Sequence, residues 1–379
     1  MLIGVVAETD PLETRVAASA ETVKKFVALG ADVVFQHGAG QSAGVTDAEY
    51  QAAGGRGASA ADVFSGADVL LKVRRPSGVE LSQIKRGAAV VAIMDPYGNG
   101  PAIEAMAKAG VDAFAMELMP RITRAQVMDV LSSQANLAGY RAILDAGSEY
   151  GRAFPMMMTP AGTVPAARVF IMGVGVAGLQ AIATARRLGA IVTATDVRPA
   201  TKEQVESLGA KFIAVEDDEF KQAETSGGYA KEMSDAYKAK QAALVAAHIA
   251  KQDIVVTTAL IPGRPAPRLI TADMVKSMRA GSVIVDLAVE RGGNCELAKA
   301  GELVTTKEGV KIVGYSSVTR LAATASALYA RNLYAFVETL IDKASKSLAI
   351  KWDDELVKST CLTHDGQIVH PGFMKKGDA

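Results

Sequence analysis

Three glycines in the middle of the chain have the spacing that a dinucleotide-binding turn requires. Gly173, Gly175 and Gly178 follow an apolar run at 169–172 and precede a helical pattern at 179–188. In such a turn the first glycine permits a tight bend, the second lets the backbone approach a pyrophosphate, and the third allows close helix–strand packing. The start of the helix offers N–H donors and a positive dipole end to the phosphates. The pattern therefore predicts a nucleotide site.

An acid at the end of the next strand pattern predicts which nucleotide is bound. The apolar run 191–195 ends at Asp196, where a carboxylate can accept hydrogen bonds from a ribose 2′-OH. This favours NAD(H) over NADP(H), because a 2′-phosphate would place like charges together. Arg198 could accept that phosphate, although a solvated charge in a turn is the simpler interpretation. The cofactor-binding residues predicted in this region are Gly173, Gly175, Val176, Ala177, Gly178, Asp196, Val197 and Arg198.

Four polar residues near the start of a predicted long helix form a second candidate site. The T-x-x-Q pattern at 123–126 fits a capping box, which predicts a helix from about residue 124 to about residue 150. Polar residues would then drift along one helix face, with an arginine in the preceding loop, and could orient a nicotinamide carboxamide. A capping box with a solvated helix face accounts for the same residues without a function, so both interpretations stay open. The four residues are Arg121, Gln126, Asp129 and Ser132.

Two further features have a functional and an ordinary interpretation. The polar segment Ser226-Gly227-Gly228-Tyr229 could form a lid that excludes water, or it could be an exposed excursion without a role. Arg15 and Lys72 lie near predicted strand ends, where α/β sheets bind ligands, and either could hold an acid substrate. Taken alone, each is better explained as an ordinary surface charge.

The elements around these residues predict an α/β fold. Over residues 1–120, five short β-rich runs alternate with helical stretches, which indicates a parallel sheet covered on both faces. This part of the chain has no glycine fingerprint. The helix at 124–150, whose small residues would let another backbone approach, and a second one, from Leu321 to about Lys343, are expected to cross between domains. We therefore expect two Rossmann-like parallel-sheet domains joined by two long interdomain helices.

The end of the chain is expected to return to the first domain. Asp365-Gly366 lies between the runs 356–363 and 367–370 and is a hairpin signal. The first domain is therefore predicted to be discontinuous, comprising residues 1–133 and 322–379. The Rossmann NAD(H)-binding domain is predicted at 134–321.

Composition excludes several classes of function. Forty-one basic and 41 acidic residues balance, so nothing suggests a nucleic-acid partner. Two cysteines and four histidines without ligand spacing predict no metal site and no disulfide framework, which fits a reducing cytoplasm. Since no apolar run approaches ~18 residues, we expect no direct membrane insertion.

Long motifs resemble the alanine dehydrogenase/transhydrogenase family over almost the whole chain. Within this family they are similar to the NAD(H)-binding components (alpha-1, domain I) of proton-translocating nicotinamide nucleotide transhydrogenases. The matching stretches are MPRITRAQVMDVLSSQANLAGYRA, GVGVAGLQAIATARRLGA, TDVRP, SGGYAKEMSDA, TTALIPGRPAP and GSVIVDLAVERGGNCE.

The resemblance implies a Si/B-specific oxidoreductase that passes hydride between NADH and NADP⁺ held on a partner subunit. It implies a homodimer with an NAD site at a domain cleft, and a cytoplasmic position attached to the inner membrane through membrane-spanning partner subunits that translocate protons. It also places the four polar residues of the second site opposite the nicotinamide and matches Tyr229 and Met233 to a mobile loop. The further site residues it implies are Gly228, Thr258, Ala259 and Leu260.

Departures from the family pattern bear on the rival functions. Ala7 replaces a usual lysine, and AIMDPYGN at 92–99 stands where alanine dehydrogenases carry a catalytic histidine. Glu290 stands in place of an aspartate, and GYSSVTR at 314–320 lacks the family N-x-P. A soluble alanine dehydrogenase would therefore lack its proton shuttle. A single-chain transhydrogenase would need apolar spans, and a non-enzymatic NAD sensor would need no second nucleotide.

Overall fold

The computed structural model describes residues 1–223, 233–261 and 263–374. The chain divides into two compact units. Unit 1 contains Met1–Gln134 and Thr319–Ala379, and unit 2 contains Ala135–Val318. The division expected from the sequence has its boundaries at 133/134 and 321/322. Each unit is built around one mainly parallel sheet, which confirms the predicted α/β class.

The first segment of unit 1 alternates strands with helices. Three 3₁₀ helices, Gln41–Ala43, Met116–Leu118 and Thr123–Met128, supplement the regular elements. The strands are β1 Leu2–Val5, β2 Asp32–Gln36, β3 Arg56–Ala58, β4 Val69–Arg74, β5 Ala89–Ile93 and β6 Asp112–Ala115. The helices are α1 Ala20–Ala28, α2 Asp47–Ala52, α3 Ala60–Gly66, α4 Gly78–Leu81 and α5 Gly100–Ala109.

A long helix, α6 Val130–Glu149, begins in unit 1 and ends in unit 2. The strands of unit 2 are β7 Met157–Thr159, β8 Gly162–Val164, β9 Arg168–Met172, β10 Ile191–Thr195, β11 Lys211–Phe212, β12 Ile254–Thr257, β13 Val283–Asp286, β14 Leu303–Thr305 and β15 Lys311–Val313. Its helices are α7 Val176–Arg187, α8 Thr201–Ser207, α9 Asp218–Lys221, α10 Asp235–Ile249, α11 Ala272–Ser277 and a 3₁₀ helix, Val289–Arg291.

The last segment returns to unit 1. It begins with a 3₁₀ helix, Thr319–Leu321. The elements that follow are α12 Ala322–Thr339, β16 Ile341–Asp342, β17 Ser347–Leu348, α13 Glu355–Thr360, β18 Cys361–His364 and β19 Gln367–Ile368.

The sheet of unit 1 has the strand order β19-β18-β6-β5-β4-β1-β2-β3. Its strands β1 to β6 are parallel, while β18 pairs antiparallel with β6. Neighbouring strand residues alternate between two apolar cores, as Val90 and Val91 do. One core includes Phe336 of α12, and the other includes Phe64 of α3 and Ile103 of α5. Both faces are covered, as the near-continuous apolar strands require.

The sheet of unit 2 has the order β11-β10-β9-β12-β13-β15-β14 and is parallel except for β14. One core contains Ile143 of α6 and Ile182 of α7, and the other contains Ile249 of α10 and Val275 of α11. The chain runs outward from β9 through β10 to β11 and then resumes at β12 on the other side of β9. This reversal is the topological switch point at which such sheets bind ligands.

The start of α6 differs from the sequence prediction. Residues 123–128 form a 3₁₀ helix whose preceding residue, Ile122, makes no side-chain cap, so the predicted capping box is wrong. The backbone of Asp129 leaves the helical region, with ψ 91°, and its carboxylate caps α6 by accepting a hydrogen bond from the Ser132 N–H at 2.9 Å. Gln126 therefore does not share a helix face with the two later residues.

Two expectations for the end of the chain were also imprecise. Helix α12 lies wholly in unit 1, because the chain re-enters that unit at Thr319, so this helix does not cross between units. The hairpin is confirmed: Asp365 and Gly366 have φ values of 49° and 78°, and Thr363 pairs with Ile368. The run before it is helix α13 followed by β18 rather than one strand.

Candidate functional site: the carboxyl edge of the unit 2 sheet

At two of the three fingerprint positions, neighbouring atoms leave no room for a side chain, so glycine is required. Gly173 has φ 102°, and a Cβ there would lie 2.5 Å from the Thr258 Oγ1 atom. A Cβ on Gly178 would lie 1.9 Å from the carbonyl oxygen of Gly173. The first position therefore makes the bend that joins β9 to α7, and the second lets α7 begin directly against that bend, as the sequence predicted.

The middle glycine faces open space. Gly175 is the N-cap of α7, and a Cβ built on it would meet no atom within 4 Å. The first hydrogen bond of the helix runs from the Leu179 N–H to the Gly175 carbonyl at 2.9 Å. The N–H groups of Val176, Ala177 and Gly178 therefore have no acceptor within the helix and remain available to an anion. This cradle fits a pyrophosphate.

Helix α6 fixes the position of this first turn. A Cβ on Gly139 would lie 2.0 Å from the carbonyl oxygen of Ala177. The backbone of α6 therefore packs directly on the first turn of α7, which confirms the expectation that the small residues of α6 permit close approach. A larger side chain at Gly139 would displace the donors of the cradle.

Asp196 lies beside the bend, and Arg198 holds it. The Asp196 carboxylate accepts hydrogen bonds from the Val174 N–H at 2.7 Å and the Arg198 N–H at 2.9 Å. It also pairs with the Arg198 guanidinium, with Nε at 2.9 Å from Oδ1 and Nη2 at 3.0 Å from Oδ2. Arg198 is therefore not simply a solvated turn charge. Val197, between them, is half exposed.

The loop after β12 completes this edge of the sheet. Thr258 Oγ1 donates to the Gly173 carbonyl at 3.0 Å. The fully buried Asn294 side chain accepts from the Ala259 N–H at 3.0 Å and donates to the Ala259 carbonyl at 2.9 Å. Leu260 is half exposed. The predicted residues 258–260 thus lie at the bend, held by Asn294, which sequence reasoning did not single out.

A second unanticipated residue, Asp286, supports the same loop system from β13. Its fully buried carboxylate accepts from the N–H groups of Ala288 and Cys295 at 2.9 and 2.8 Å, and from the Thr257 hydroxyl at 3.2 Å. These hydrogen bonds connect the end of β13 with the end of β12 and with the loop that follows β13. The only signal in the sequence was an acid at the end of an apolar strand, which is shared with Asp196.

The predicted nicotinamide-orienting residues lie on a well-anchored segment of unit 1. Asp129 accepts from the Ser132 hydroxyl at 2.5 Å, so these two are in direct contact. Arg121 and Gln126 lie earlier on the same segment, and both are exposed. Beneath them, Asn332 of α12 donates to the Val127 carbonyl at 2.8 Å. The structure thus brings together one pair of the four and presents the other two to solvent.

The same segment is also fixed to the end of the chain. Arg124 makes a two-pronged ion pair with Asp354, at 2.9 and 2.6 Å. This pairing raises the pKa of Arg124 and lowers the pKa of Asp354. The 3₁₀ helix at 123–128 is therefore held by Asp354, a residue far away in the sequence that no local pattern indicates.

Gly228 and Tyr229, predicted to form a lid, lie outside the described residues. The two residues that follow this segment make contacts within unit 2. Met233 is buried in a core of unit 2, and the Ser234 hydroxyl donates to the Glu219 carboxylate at 2.6 Å. Whether Tyr229 acts on a nucleotide stays a prediction.

The candidate substrate-binding cations of unit 1 are buried and already paired. Arg15 donates to Glu13 from Nε and Nη2, both at 2.7 Å, and to Gln134 from Nη1 at 2.8 Å. The Lys72 ammonium lies 2.7 Å from Glu80 and 3.4 Å from Glu8. Neither cation is an ordinary surface charge, because both are at least 94% buried. An acid substrate would have to displace these glutamates.

The acids of this cluster have pKa values shifted in opposite directions. Burial raises the pKa of Glu8 above its usual range, despite the ammonium of Lys72 beside it. Burial also works to raise the pKa of Glu13, but the hydrogen bond and charge of Arg15, with Arg74 nearby, hold the pKa of Glu13 below its usual range. The two glutamates therefore lie in different electrostatic environments within one cluster.

A cavity of about 390 Å³ opens next to this cluster. Ala7, the residue that departs from the family lysine, lines it together with Gln36, Phe64, Val79 and Glu80. The walls are mostly apolar, and the Glu80 carboxylate in them is bonded to Lys72. The small side chain at position 7 therefore leaves open space at the carboxyl edge of the unit 1 sheet.

Metal ligands and membrane spans do not occur in the described ranges. Among residues 1–223, 233–261 and 263–374, no three histidine, cysteine or acidic side chains come together as metal ligands would. In the same stretches of the chain, no helix combines the length and the apolar character needed to cross a bilayer.

Known proteins with similar sequence or structure match this chain along its length. A Rhodospirillum rubrum protein, named as the first part of NAD(P) transhydrogenase subunit alpha, is 56% identical over 384 residues, which covers 100% of both chains. A crystal structure of transhydrogenase from Sinorhizobium meliloti is 61% identical, with a TM-score of 0.89, and the match covers 97% of this chain and 100% of that one. The alanine dehydrogenase of Mycolicibacterium smegmatis is 28% identical over 100% of this chain and 97% of its own length.

Two family models cover nearly the whole chain. The model described as alanine dehydrogenase/PNT, N-terminal domain, matches residues 4–138. The model described as alanine dehydrogenase/PNT, C-terminal domain, matches residues 142–371, which include the glycine turn and Asp196. Together with the 56% identity to the Rhodospirillum rubrum protein, these matches confirm the resemblance inferred from the motifs. The chain belongs to the alanine dehydrogenase/PNT family.

Proposed function

We propose that this chain is the NAD(H)-binding catalytic subunit of an NAD(P) transhydrogenase. It binds NADH and passes hydride directly to NADP⁺ held on a partner subunit. The observation that carries the proposal is the open cradle at Gly175, beside the carboxylate of Asp196, in a chain 56% identical to a transhydrogenase alpha subunit. A nicotinamide ring supplies the chemistry, since it donates or accepts the hydride with its two electrons.

The residues of the chain bind and orient the dinucleotide. The first-turn N–H groups of α7 hold the pyrophosphate, and the positive end of the α7 dipole favours its charge. Asp196 accepts from the adenosine ribose and disfavours a 2′-phosphate by repulsion. Thr258, Ala259 and Leu260 form the adjoining wall, which Asn294 keeps in place. The polar set Arg121, Gln126, Asp129 and Ser132 orients the nicotinamide carboxamide.

The proposal extends to the assembly. The Rhodospirillum rubrum and Rickettsia prowazekii relatives are both named as a portion of an NAD(P) transhydrogenase subunit alpha, and these names support a complex with further subunits. We propose that this chain forms a homodimer, and that partner subunits bind NADP(H) and span the inner membrane, where hydride transfer is coupled to proton translocation. This subunit then lies in the cytoplasm, attached through its partners, and the enzyme is Si/B-specific.

The alternative, a soluble NAD-dependent alanine dehydrogenase, has the weaker support. It would need a cation for the substrate carboxylate, yet Arg15 and Lys72 are buried against Glu13, Glu8 and Glu80. It would also need a general acid or base, and positions 93–95 are Ile, Met and Asp rather than histidine. The mycolicibacterial alanine dehydrogenase is also much less similar, at 28% identity.

Steady-state assays separate these functions. The purified chain should bind NADH but be nearly inert with alanine, with pyruvate and ammonia, or with free NADP⁺. Adding a soluble NADP(H)-binding transhydrogenase subunit should produce rapid hydride transfer, measured with a nicotinamide analogue whose reduced form absorbs at a separate wavelength. NADH oxidation that depends on pyruvate and ammonia without the partner would establish the dehydrogenase. NADH binding without turnover under any of these conditions would favour a nucleotide sensor.

A further inference from the structure

The carboxylate of Asp196 has no acceptor position left for a ribose. A carboxylate has about four lone-pair sites. In the structure Oδ1 accepts from the Arg198 N–H and Nε, and Oδ2 accepts from the Val174 N–H and the Arg198 Nη2. Two of the four donors are backbone groups and two belong to the Arg198 guanidinium. A ribose hydroxyl can therefore reach this carboxylate only if the guanidinium leaves.

We propose that Arg198 is a displaceable occupant of the ribose site and sets nucleotide specificity. Its guanidinium occupies the positions that the two hydroxyls of the adenosine ribose take when the dinucleotide binds. This inference rests on the proposed function, because it assumes that Asp196 receives the ribose. It assigns to Arg198 a competing role rather than a binding one.

The surroundings of the pair permit this exchange. The Arg198 side chain is 32% exposed, whereas that of Asp196 is only 7% exposed, so the guanidinium has access to water while the acid stays in place. To leave, the guanidinium also gives up a hydrogen bond to the Val174 carbonyl at 3.2 Å. The ribose hydroxyls would replace the two guanidinium hydrogen bonds on the buried carboxylate, so the carboxylate is not left with unfilled acceptor positions. The two backbone donors, from Val174 and Arg198, continue to orient the carboxylate after the guanidinium leaves. One acceptor position is then open on each oxygen, which matches the two hydroxyls of a vicinal diol.

The same displacement affects NADP(H). A released guanidinium close to the ribose is a two-pronged donor, which suits a 2′-phosphate. Arg198 therefore weakens NADH binding by competition and assists NADPH binding by pairing. Asp196 favours NADH over NADPH, and Arg198 reduces that preference.

The test compares adenosine nucleotides with and without ribose hydroxyls. Isothermal titration calorimetry of the full chain with 5′-AMP and with 2′,3′-dideoxyadenosine 5′-monophosphate isolates the hydroxyl contribution from the phosphate contribution. In Arg198→Ala, the preference for 5′-AMP over the dideoxy nucleotide should grow by about threefold or more, because the hydroxyls no longer compete with the guanidinium for the carboxylate. NADH should bind more tightly and NADPH more weakly.

Two further variants serve as controls. Arg198→Lys keeps the charge but not the planar fork, so its hydroxyl preference should be intermediate. Lys202→Ala removes an exposed cation of α8 that pairs with Glu216 at 2.6 Å and does not contact Asp196. This change lowers the local positive charge equally, and the hydroxyl preference should stay at the wild-type value.

The outcomes separate this inference from the proposed function. An unchanged or smaller hydroxyl preference in Arg198→Ala would overturn the competing role, while NADH binding by the wild type would keep the proposed function. If Asp196→Ala has the same hydroxyl preference as the wild type, then Asp196 does not receive the ribose, and the competing role fails with it. If the wild type binds neither NADH nor 5′-AMP, the proposed function itself fails.

Discussion

The two units contain the same kind of ion pair at the carboxyl edges of their sheets, in opposite surroundings. In unit 1, Arg15 holds Glu13 with side chains that are 5% and 0% exposed, and Lys72 joins Glu8 and Glu80 nearby. In unit 2, Arg198 holds Asp196 by an equally two-pronged contact, but the arginine side chain is 32% exposed. When the second pair opens, the guanidinium can reach water, and the Asp196 carboxylate, itself only 7% exposed, keeps its two backbone N–H donors.

This difference shows how burial decides the use of a charge pair. Breaking a buried pair leaves one charge without water or partner, which is costly, so the unit 1 edge is closed to an acidic ligand. The partly exposed Arg198 can exchange Asp196 for water, and the backbone donors of Val174 and Arg198 still stabilise the carboxylate, so the unit 2 edge stays open to a polar ligand. The glycine turn adds to this contrast, because Gly175 leaves open space beside Asp196.

The largest expected effect comes from breaking the buried ion pair between Lys72 and Glu80 at the unit 1 edge. Lys72→Met should lower the free energy of unfolding of unit 1 by about 3–5 kcal/mol, because Glu80 would keep a buried charge without its cation. The single tryptophan, Trp352, lies in unit 1, so its fluorescence during urea denaturation reports this unit. Lys72→Met/Glu80→Gln should recover part of the loss. A single variant as stable as the wild type would show that the cluster is not closed by charge pairing.

The second prediction compares alanine substitutions at two glycines of the same turn. Gly175→Ala should keep wild-type stability, since its φ of −84° suits alanine and its Cβ meets nothing, yet NADH affinity should fall about tenfold or more. Gly178→Ala should lose stability as well as affinity, because its Cβ would overlap the Gly173 carbonyl. Fluorescence titration with NADH and thermal unfolding distinguish the two. Equal affinity of Gly175→Ala and wild type would place the nucleotide elsewhere.

A third prediction uses pH to examine the closed edge. The lowered pKa of Glu13 gives stability that is present above pH 4.5 and is lost as pH falls through its folded-state pKa. The raised pKa of Glu8 gives stability that is present below pH 4.5 and is lost as pH rises through its folded-state pKa. The stability advantage of the wild type over Glu13→Gln should therefore shrink below pH 4.5, while its advantage over Glu8→Gln should shrink above pH 4.5.

Urea midpoints of both variants, followed by Trp352 fluorescence from pH 3 to pH 7, measure these slopes. The two variants control for each other, since both exchange a buried glutamate of one cluster for its neutral amide. Parallel slopes would mean that the two acids share one environment and that the opposite shifts are wrong.

The smallest effect concerns the stability of the open edge. Arg198→Ala should lower the free energy of unfolding by only about 1–2 kcal/mol, because the Asp196 carboxylate keeps two backbone N–H donors. Urea denaturation followed by circular dichroism measures it, with Lys202→Ala as the matched loss of an exposed cation. A loss near that of Lys72→Met would show that the Asp196 pair is structural, and the comparison between the two edges would collapse.

Local sequence was sufficient wherever a short-range steric rule operates. The bend at Gly173, the packing at Gly178 and the hairpin turn at Asp365-Gly366 each follow from backbone sterics within a few residues. The acid at Asp196 follows from its place after a strand. The family resemblance then added residues 258–260, which carry no local motif of their own.

Sequence reasoning failed wherever a distant partner decides the structure. The segment at 123–128 is a 3₁₀ helix bound by Asp354, over 200 positions away, so a local capping pattern was misleading. Asn294 and Asp286 act on loops that follow other strands, and nothing near them in sequence shows it. The burial of Arg15 and Lys72 likewise depends on acids that only the folded sheet brings together.

The pairing of β6 with β18 affects how the nascent protein folds. Phe114 lies opposite Cys361 in the unit 1 sheet, and its ring packs 5.5 Å from Phe336 of α12. During synthesis the ribosome must therefore add the whole of unit 2 before either partner exists. Until then β6 is an uncovered strand edge beside an exposed apolar face, which is a surface prone to misassociation. The part of unit 1 that precedes unit 2 in the chain therefore completes its sheet only after unit 2 has been translated.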